Sequence, residues 1–555
     1  MKPTAIYPRI PLAQSIIEIC KKKGLQHIVI SPGSRNAPLT IGFSNQTEFN
    51  CYSIVDERCA GFFALGLAQQ LQEPVVLTCT SGSALLNYYP AITEAFYSQI
   101  PLVVISADRP IDKIDIGDGQ TIRQANVFAN HILYNANLEE NASAENDRLI
   151  QEALFLSISQ KGPVHINVPF EEPLYETILA PIIAPVWFDF EKKEEKASEI
   201  QPFAKQWNEA QKKIVLIGEN QPNTIEAEYL NIIAQDPSVI VMTEVTSNVH
   251  HENFITNIDT IITPFSEKEF EHYKPEILLT LGGMIVSKRI KAFFRKYKPK
   301  AHWHVDELRA YNTYGCLSHH FKETPNVFFE RFLKLTSYKE SSFQQELLDI
   351  RLQRAVAHND YLKELIFSDL KVFQIITELL PKNLQLQISN SSAIRYAQLF
   401  SIDSSISVYC NRGTSGIEGS TTTAIGAAVG SKKTTYVITG DISFFYDSNA
   451  LWNHYIPNDF KIILINNGGG GIFRILPGHQ ENETFNTFFE TTHNLTAEYL
   501  ASMYGFRYFR ATNERQLRKN WNDFSSLNRP AIYEIFTPEK LNNKILLQYF
   551  KDLND

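Results

Sequence analysis

A chain of 555 residues, 44% hydrophobic and 20% charged, is too long for one ordinary core and has the mix of a soluble globular protein, so three or four domains are expected. The net charge of −9, from 52 basic and 61 acidic residues, supplies no global basic field and argues against nucleic acid as the main partner. No run of about 18 apolar residues occurs and the N-terminal stretch lacks a signal-peptide pattern, so neither stable membrane insertion nor secretion is expected and the cytoplasm is the default compartment.

In chain order, the apolar runs 27–32, 75–80, 102–107 and 162–170 read as strands, with helical apolar spacing from Ala84 to Tyr97. Residues 180–202 hold three prolines and the run EKKEEKASE, which reads as a solvated linker. A second set of strands is expected at 213–218, 238–243, 276–283 and 301–306, followed by a charged helical connection over 339–368. A third set is expected at 384–389, 435–441, 460–467, 508–513 and 531–536. Strands alternating with helices imply an α/β protein of three doubly wound parallel-sheet domains, with limits near 1–182, 200–340 and 365–555. The six cysteines form no C-x-x-C pair and read as reduced, mostly buried thiols.

The strongest chemical signal lies in the third set. One apolar strand ends in Gly440-Asp441, followed by Ile442 and Ser443; the next ends in Asn466-Asn467 and Gly468 to Gly471. Alone, each reads as a turn. Ligands collect at the carboxyl ends of parallel strands, and two adjacent ends would set a carboxylate beside an amide oxygen. Such hard oxygens suit Mg²⁺ shared with a bound phosphate, and glycines let the backbone approach that phosphate. Glu57 opens a Gly/Ala-rich helix at 57–69, where an acid is also expected simply from the helix dipole. The stretch 411–430, dense in Gly, Ser and Thr, reads as a loop entering a closely packed helix; Ile417 within it could equally be a core residue. Arginines recur in loops: Ser34-Arg35, Arg109, Gln120 with Arg123, Ser391 with Arg395, and Arg412. Their planar forks suit carboxylates, although a lone loop arginine is more often a surface ion-pair partner. The segment 477–494, with His479, reads either as a mobile lid or as a plain surface loop.

The GD and NN pair at this spacing resembles the signature of thiamine diphosphate enzymes, with Ile442 where many members have glycine. The stretches SPGSRNAPL, DERCAGFFALGLA, SADRP, GQTIRQ, SNSSAIR, NRGTSGIEG and NNGGGGIF resemble the branch of that family acting in menaquinone biosynthesis. The resemblance implies thiamine diphosphate with Mg²⁺ or Mn²⁺, the metal held by Asp441, Asn467 and a carbonyl near Gly469. Gly440, Ile442, Ser443, Gly470 and Ile472 are implied as further cofactor contacts. Glu57 is implied to activate the cofactor's aminopyrimidine, and Ile417 to bend the cofactor. The implied reaction is a carboligation, a transferase chemistry: 2-oxoglutarate is decarboxylated and the resulting carbanion adds to isochorismate. Ser34, Arg35, Arg109, Gln120, Arg123, Ser391, Arg395, Arg412, Ile472 and Phe473 are implied to surround the substrates, with Lys288 and Arg289 as candidates from the middle set. A homo-oligomer, such as a homodimer, is implied, with Glu57 reaching a cofactor held by another subunit. The alternatives are another thiamine diphosphate carboligase or 2-oxo acid decarboxylase, and a non-catalytic relative that only binds the cofactor.

Overall fold

The runs Val75–Cys79 and Leu102–Asp108 are buried along their whole length, the pattern of strands covered on both faces. The computed structural model describes residues 6–192, 198–475, 478 and 480–554. Among them are three six-stranded sheets, each parallel throughout. The fold class expected from the sequence is therefore the one observed.

The first sheet runs Asn50–Ser53, His27–Ile30, Val75–Cys79, Leu102–Asp108, Val164–Pro169, Tyr134–Asn137 from edge to edge. The third runs Ser407–Tyr409, Gln385–Ile388, Thr435–Gly440, Lys461–Asn466, Ala531–Phe536, Arg507–Ala511. Numbered by sequence within each sheet, both have the order 2-1-3-4-6-5, so the first and third units share a topology. The order in which strands are added reverses at strands 1 and 3, which opens a crevice beyond their carboxyl ends. In the first sheet that crevice lies beside residues 31–35 and 80–82. In the third it lies beside residues 389–391 and 440–443. The central sheet has another order, Phe254–Ile255, Val239–Thr243, Lys213–Ile217, Ile277–Leu281, Ala301–Val305, Leu317–Phe321.

The helix Glu57–Leu71 starts at Asp56, whose carboxylate accepts from the N–H groups of Arg58 (2.9 Å) and Cys59 (3.3 Å). Its middle is buried on every side because it is sandwiched between units, against the helix Ser420–Ser431. Glycines set the approach. A Cβ on Gly66 would lie 1.9 Å from the Thr423 carbonyl oxygen, and one on Gly426 would lie 2.0 Å from that of Phe63. The apolar surfaces of both helices join one core with the strands behind them.

The helical spacing from Ala84 to Tyr97 is realised as two helices, Ala84–Asn87 and Tyr89–Ser98, with Pro90 in the first turn of the second. The connection expected over 339–368 contains the helix Phe343–Lys363. Of the linker 180–202, residues 193–197 lie outside the described residues, and a helix begins at Gln201. No described helix is long and apolar enough to cross a membrane.

Candidate active site

At the third sheet's crevice the register pairs Gly440 with Ile465, so Asp441 leaves its strand level with Asn466. Asp441 is 3% exposed. Its Oδ1 accepts from Ile442 N (2.7 Å), and its Oδ2 from Gly468 N (2.9 Å) and Gly469 N (3.0 Å). One carboxylate thus ties the start of the helix Asp441–Tyr446 to the glycine run on the neighbouring strand. Gly468 adopts φ +80°, open to glycine at little cost. Asn467 donates Nδ2 to Asp369 Oδ2 (3.0 Å). Among the described residues its Oδ1 accepts no hydrogen bond, which leaves the amide oxygen as the end a cation could take. Asp369 is fully buried, and burial pushes its carboxyl up to about 6. It also accepts from Thr537 Oγ1 at 2.5 Å. Neither Asp369 nor Thr537 stands in a motif, and only the fold brings them to Asn467.

The loop 411–419 closes over the same crevice. Ser443 Oγ donates to the Ile417 carbonyl at 2.6 Å. Glu94, from the first unit, accepts from Gly413 N, Thr414 N and Thr414 Oγ1, each at 2.7 Å. Asn390 Nδ2 donates to the carbonyls of Asn411 and Gly416, both at 2.7 Å, and Arg412 Nη1 donates to Asn390 Oδ1 at 2.6 Å. Next to Asn390, Ser391 sits at φ +70°, ψ −128°, a conformation L-residues rarely adopt. Ile417, Gly440, Asp441, Ile442, Ser443, Asn467, Gly469 and Gly470 are therefore gathered at one strand-end crevice.

A second gathering adjoins it. Lys288, Arg289, Arg395 and Ile472 line one cavity with Tyr396, and Asp259 is the acid there. Burial, then the nearby Arg412 charge, lowers the Arg395 guanidinium from its usual range. The backbone entering Lys288 is fixed by Glu244, a buried carboxylate that accepts from Val286 N (2.6 Å) and Ser287 N (2.7 Å). Ser287 Oγ also donates to Asp259. Central-unit and third-unit cations thus share a cavity, which sequence reasoning had placed only loosely. Phe473, half-buried, packs its ring edge-on to Phe489.

The remaining sequence-predicted residues sit at the first sheet's crevice. Ser34 is exposed, whereas Arg35 is 3% exposed and donates to the Phe170 carbonyl (2.9 Å) and to Glu172 (3.1 Å). Burial and then the Arg109 charge lower the Arg35 guanidinium. Arg109 donates to the Gly119 carbonyl at 2.9 Å, beside Gln120. Arg123 is differently placed, on the surface and paired with Asp115 at 2.8 Å. Glu57 is half-buried in the first turn of its helix, and desolvation raises its carboxyl. Among the described residues no hydrogen bond or ion pair joins Glu57 to Asp441 or Asn467 within the chain. The segment 477–494 is described except for Pro477 and His479, so His479 lies outside the described residues. His493, near its end, has Nε2 3.5 Å from Asp441 Oδ2.

Three family models match the chain: the thiamine pyrophosphate enzyme N-terminal TPP binding domain over 10–130, the middle domain of thiamine pyrophosphate enzymes over 186–388, and the C-terminal TPP binding domain over 391–535. The chain is 65% identical to the 2-succinyl-5-enolpyruvyl-6-hydroxy-3-cyclohexene-1-carboxylate synthase of Flavobacterium psychrophilum, across 99% of this chain and 100% of that protein. It is 60% identical to the synthase of the same name from Flavobacterium johnsoniae, across 99% and 100%. The corresponding protein of Christiangramia forsetii is 54% identical across 98% and 99%. The chain accordingly belongs to the 2-succinyl-5-enolpyruvyl-6-hydroxy-3-cyclohexene-1-carboxylate synthase family of thiamine pyrophosphate enzymes.

Proposed function

We propose that the chain decarboxylates 2-oxoglutarate and joins the remaining four-carbon unit to isochorismate. The products are 2-succinyl-5-enolpyruvyl-6-hydroxy-3-cyclohexene-1-carboxylate and CO₂, a step of menaquinone biosynthesis in the cytoplasm. The observation that carries this reading is the cavity where Lys288, Arg289 and Arg395 meet Ile472. Two dicarboxylate substrates bring four carboxylates, and a cluster of cations with one acid is suited to receive them.

The residues at the third crevice fit thiamine diphosphate and a divalent ion, Mg²⁺ or Mn²⁺. Asp441 and the uncommitted amide oxygen of Asn467 are hard donors, with the Gly469 carbonyl as a third. The glycine run gives close backbone approach, with Gly440, Ile442, Ser443, Gly470 and Ile472 around it. When bound, thiamine diphosphate supplies the electron sink for decarboxylation. Glu57 holds a proton against the pyrimidine ring nitrogen N1′, a task its desolvated, raised carboxyl suits. Ile417, whose carbonyl Ser443 holds, would pack against the bound cofactor and favour its bent shape. Ser34, Arg35, Arg109, Gln120, Arg123, Ser391, Arg412 and Phe473 complete the substrate surround in this reading.

Glu57 acts on a cofactor held by a second copy of the chain, so the working form is a homo-oligomer, at least a homodimer. Exposed apolar side chains close in the chain to both groups support such an interface: Val55, two residues before Glu57, at 41%, and Tyr446, at the end of the helix that Asp441 opens, at 54% exposure. We also take the three units as domains with limits 1–182, 200–340 and 365–555, since the three sheets fall inside those limits.

The test is incubation with isochorismate, 2-oxoglutarate, thiamine diphosphate and Mg²⁺, following product mass and CO₂ release. A succinylated adduct with stoichiometric CO₂ is expected. Turnover of pyruvate but not of 2-oxoglutarate would instead identify another carboligase of the family.

A further inference from the structure

We infer that Arg474 and Glu490 are positioning residues, a clamp that holds the glycine run in the shape that grips the cofactor's diphosphate. This inference rests on the functional reading above. Both side chains are buried, at 2% and 1% exposure. Arg474 donates through Nε to one Glu490 oxygen and through Nη2 to the other, a fork-to-fork pair.

A buried ion pair is a weak stabiliser, because desolvating two charges offsets much of their attraction. Its use here is better sought in position. Arg474 lies at the end of the short helical stretch Gly471–Ile475, directly after the glycine run. Glu490 ends the π-helical turn Phe485–Glu490, a conformation that tends to mark functional segments. The main chain joins the same two segments. Gly470 N donates to the Glu490 carbonyl at 2.6 Å, and His493 N donates to the Gly468 carbonyl at 3.0 Å. A Cβ on Gly469 would lie 2.7 Å from that Glu490 oxygen, so the segment fits tightly over the run. The run in turn is fastened to Asp441.

The charges around Arg474 separate it from the substrate arginines. Its Nη1 lies 3.1 Å from Glu481, and its Nη2 lies 3.9 Å from Glu539. With three carboxylates already facing it, Arg474 has no charge to offer a substrate. Its work is to keep Glu490, and with it the 485–493 segment, seated on Gly468–Gly471.

Calorimetric titration with thiamine diphosphate in the presence of Mg²⁺ tests this in the full chain and in Arg474→Lys and Glu490→Gln. Hydrogen exchange of 485–493 is followed in the cofactor-free proteins. Both variants are expected to bind the cofactor roughly tenfold more weakly or worse, since Arg474→Lys loses the two-pronged fork and Glu490→Gln loses the charge, and to exchange faster over 485–493. The KM for 2-oxoglutarate at saturating cofactor should hold within about twofold of wild type, on the same reasoning that the pair faces no substrate. Glu490→Asp, which keeps the charge, should recover part of the affinity that Glu490→Gln loses. If Arg474→Lys fails to fold, the two Glu490 variants carry the test. Faster exchange with unchanged cofactor affinity would make the pair merely structural and overturn the inference. A wild-type chain that takes up no thiamine diphosphate would refute the functional reading instead.

Discussion

Ser443 donates its hydroxyl to the main-chain carbonyl of Ile417 across 2.6 Å, and so fastens the loop 411–419 to the first turn after Asp441. The residue proposed to bend the cofactor is thereby tied to the residue proposed to hold its metal. Neither a shift of the loop nor a shift of the helix Asp441–Tyr446 can occur alone while that bond persists.

Ser443→Ala should loosen Ile417 without emptying the diphosphate site. One neutral hydrogen bond contributes about 1 kcal/mol, so kcat is expected to fall by roughly two- to tenfold. Cofactor affinity should change less than kcat. Steady-state kinetics beside a calorimetric titration check this, and an unchanged kcat would detach Ile417 from the bending role.

Arg395→Ala should impair substrate handling and leave cofactor binding intact. A hydrogen bond to a charged group contributes about 1.5–3 kcal/mol, which corresponds to a drop in kcat/KM of roughly ten- to hundredfold. Lys288→Ala, in the lining of the same cavity, should lower kcat/KM in the same sense. Wild-type values of kcat/KM in Arg395→Ala would remove that residue from the substrate cavity.

Gly66→Ala places a methyl group 1.9 Å from the Thr423 carbonyl oxygen, which is backbone and cannot swing aside. Overpacking of this kind costs about 1–3 kcal/mol, more than the ~1 kcal/mol that alanine gains over glycine in a helix. The thermal midpoint is therefore expected to fall. A raised midpoint would mean that the helices Glu57–Leu71 and Ser420–Ser431 are not in close contact.

The pH dependence of stability should carry the mark of His165. Burial lowers this imidazole to about 3, where Ser106 and Asn135 hydrogen-bond it. The unfolded chain takes up a proton near pH 6.5 that the folded chain refuses, so the contribution is present above about 6.5 and is lost as pH falls towards 3. Between pH 6.5 and 5 the loss is roughly 2 kcal/mol for one such group. Wild type should lose more stability than His165→Gln on going from pH 7 to pH 5. Equal losses in thermal melts at the two pH values would contradict this.

The parts legible in the sequence are those where apolar runs are long and end in polar residues. Val75–Cys79 and Lys461–Asn466 are buried throughout and Thr435–Gly440 as far as Thr439, and Asp441 and Asn467 stand out because they follow such runs. The edge strands Asn50–Ser53, Tyr134–Asn137 and Leu317–Phe321 pair on one side only and keep polar, partly exposed residues, so periodicity does not mark them. Asp369 meets Asn467 across 98 positions, and Arg474 meets Glu490 through an irregular segment. Both relations depend on tertiary packing. Arg35 and Arg123 read alike as loop arginines, yet one is locked to Phe170 and Glu172 in the interior and the other pairs with Asp115 at the surface.

The central claim is that Glu57 of one subunit serves the cofactor held at Asp441 and Asn467 of another. Glu57→Gln should bind cofactor yet fail to turn over, and Asp441→Ala should fail to bind it. The most direct measurement mixes these two inactive proteins after reversible dissociation and assays carboligation. In a dimer with random reassociation, each hybrid rebuilds one intact site, so about a quarter of wild-type activity is expected to return. Mixtures that reassociate fully and stay inactive would contradict the shared site.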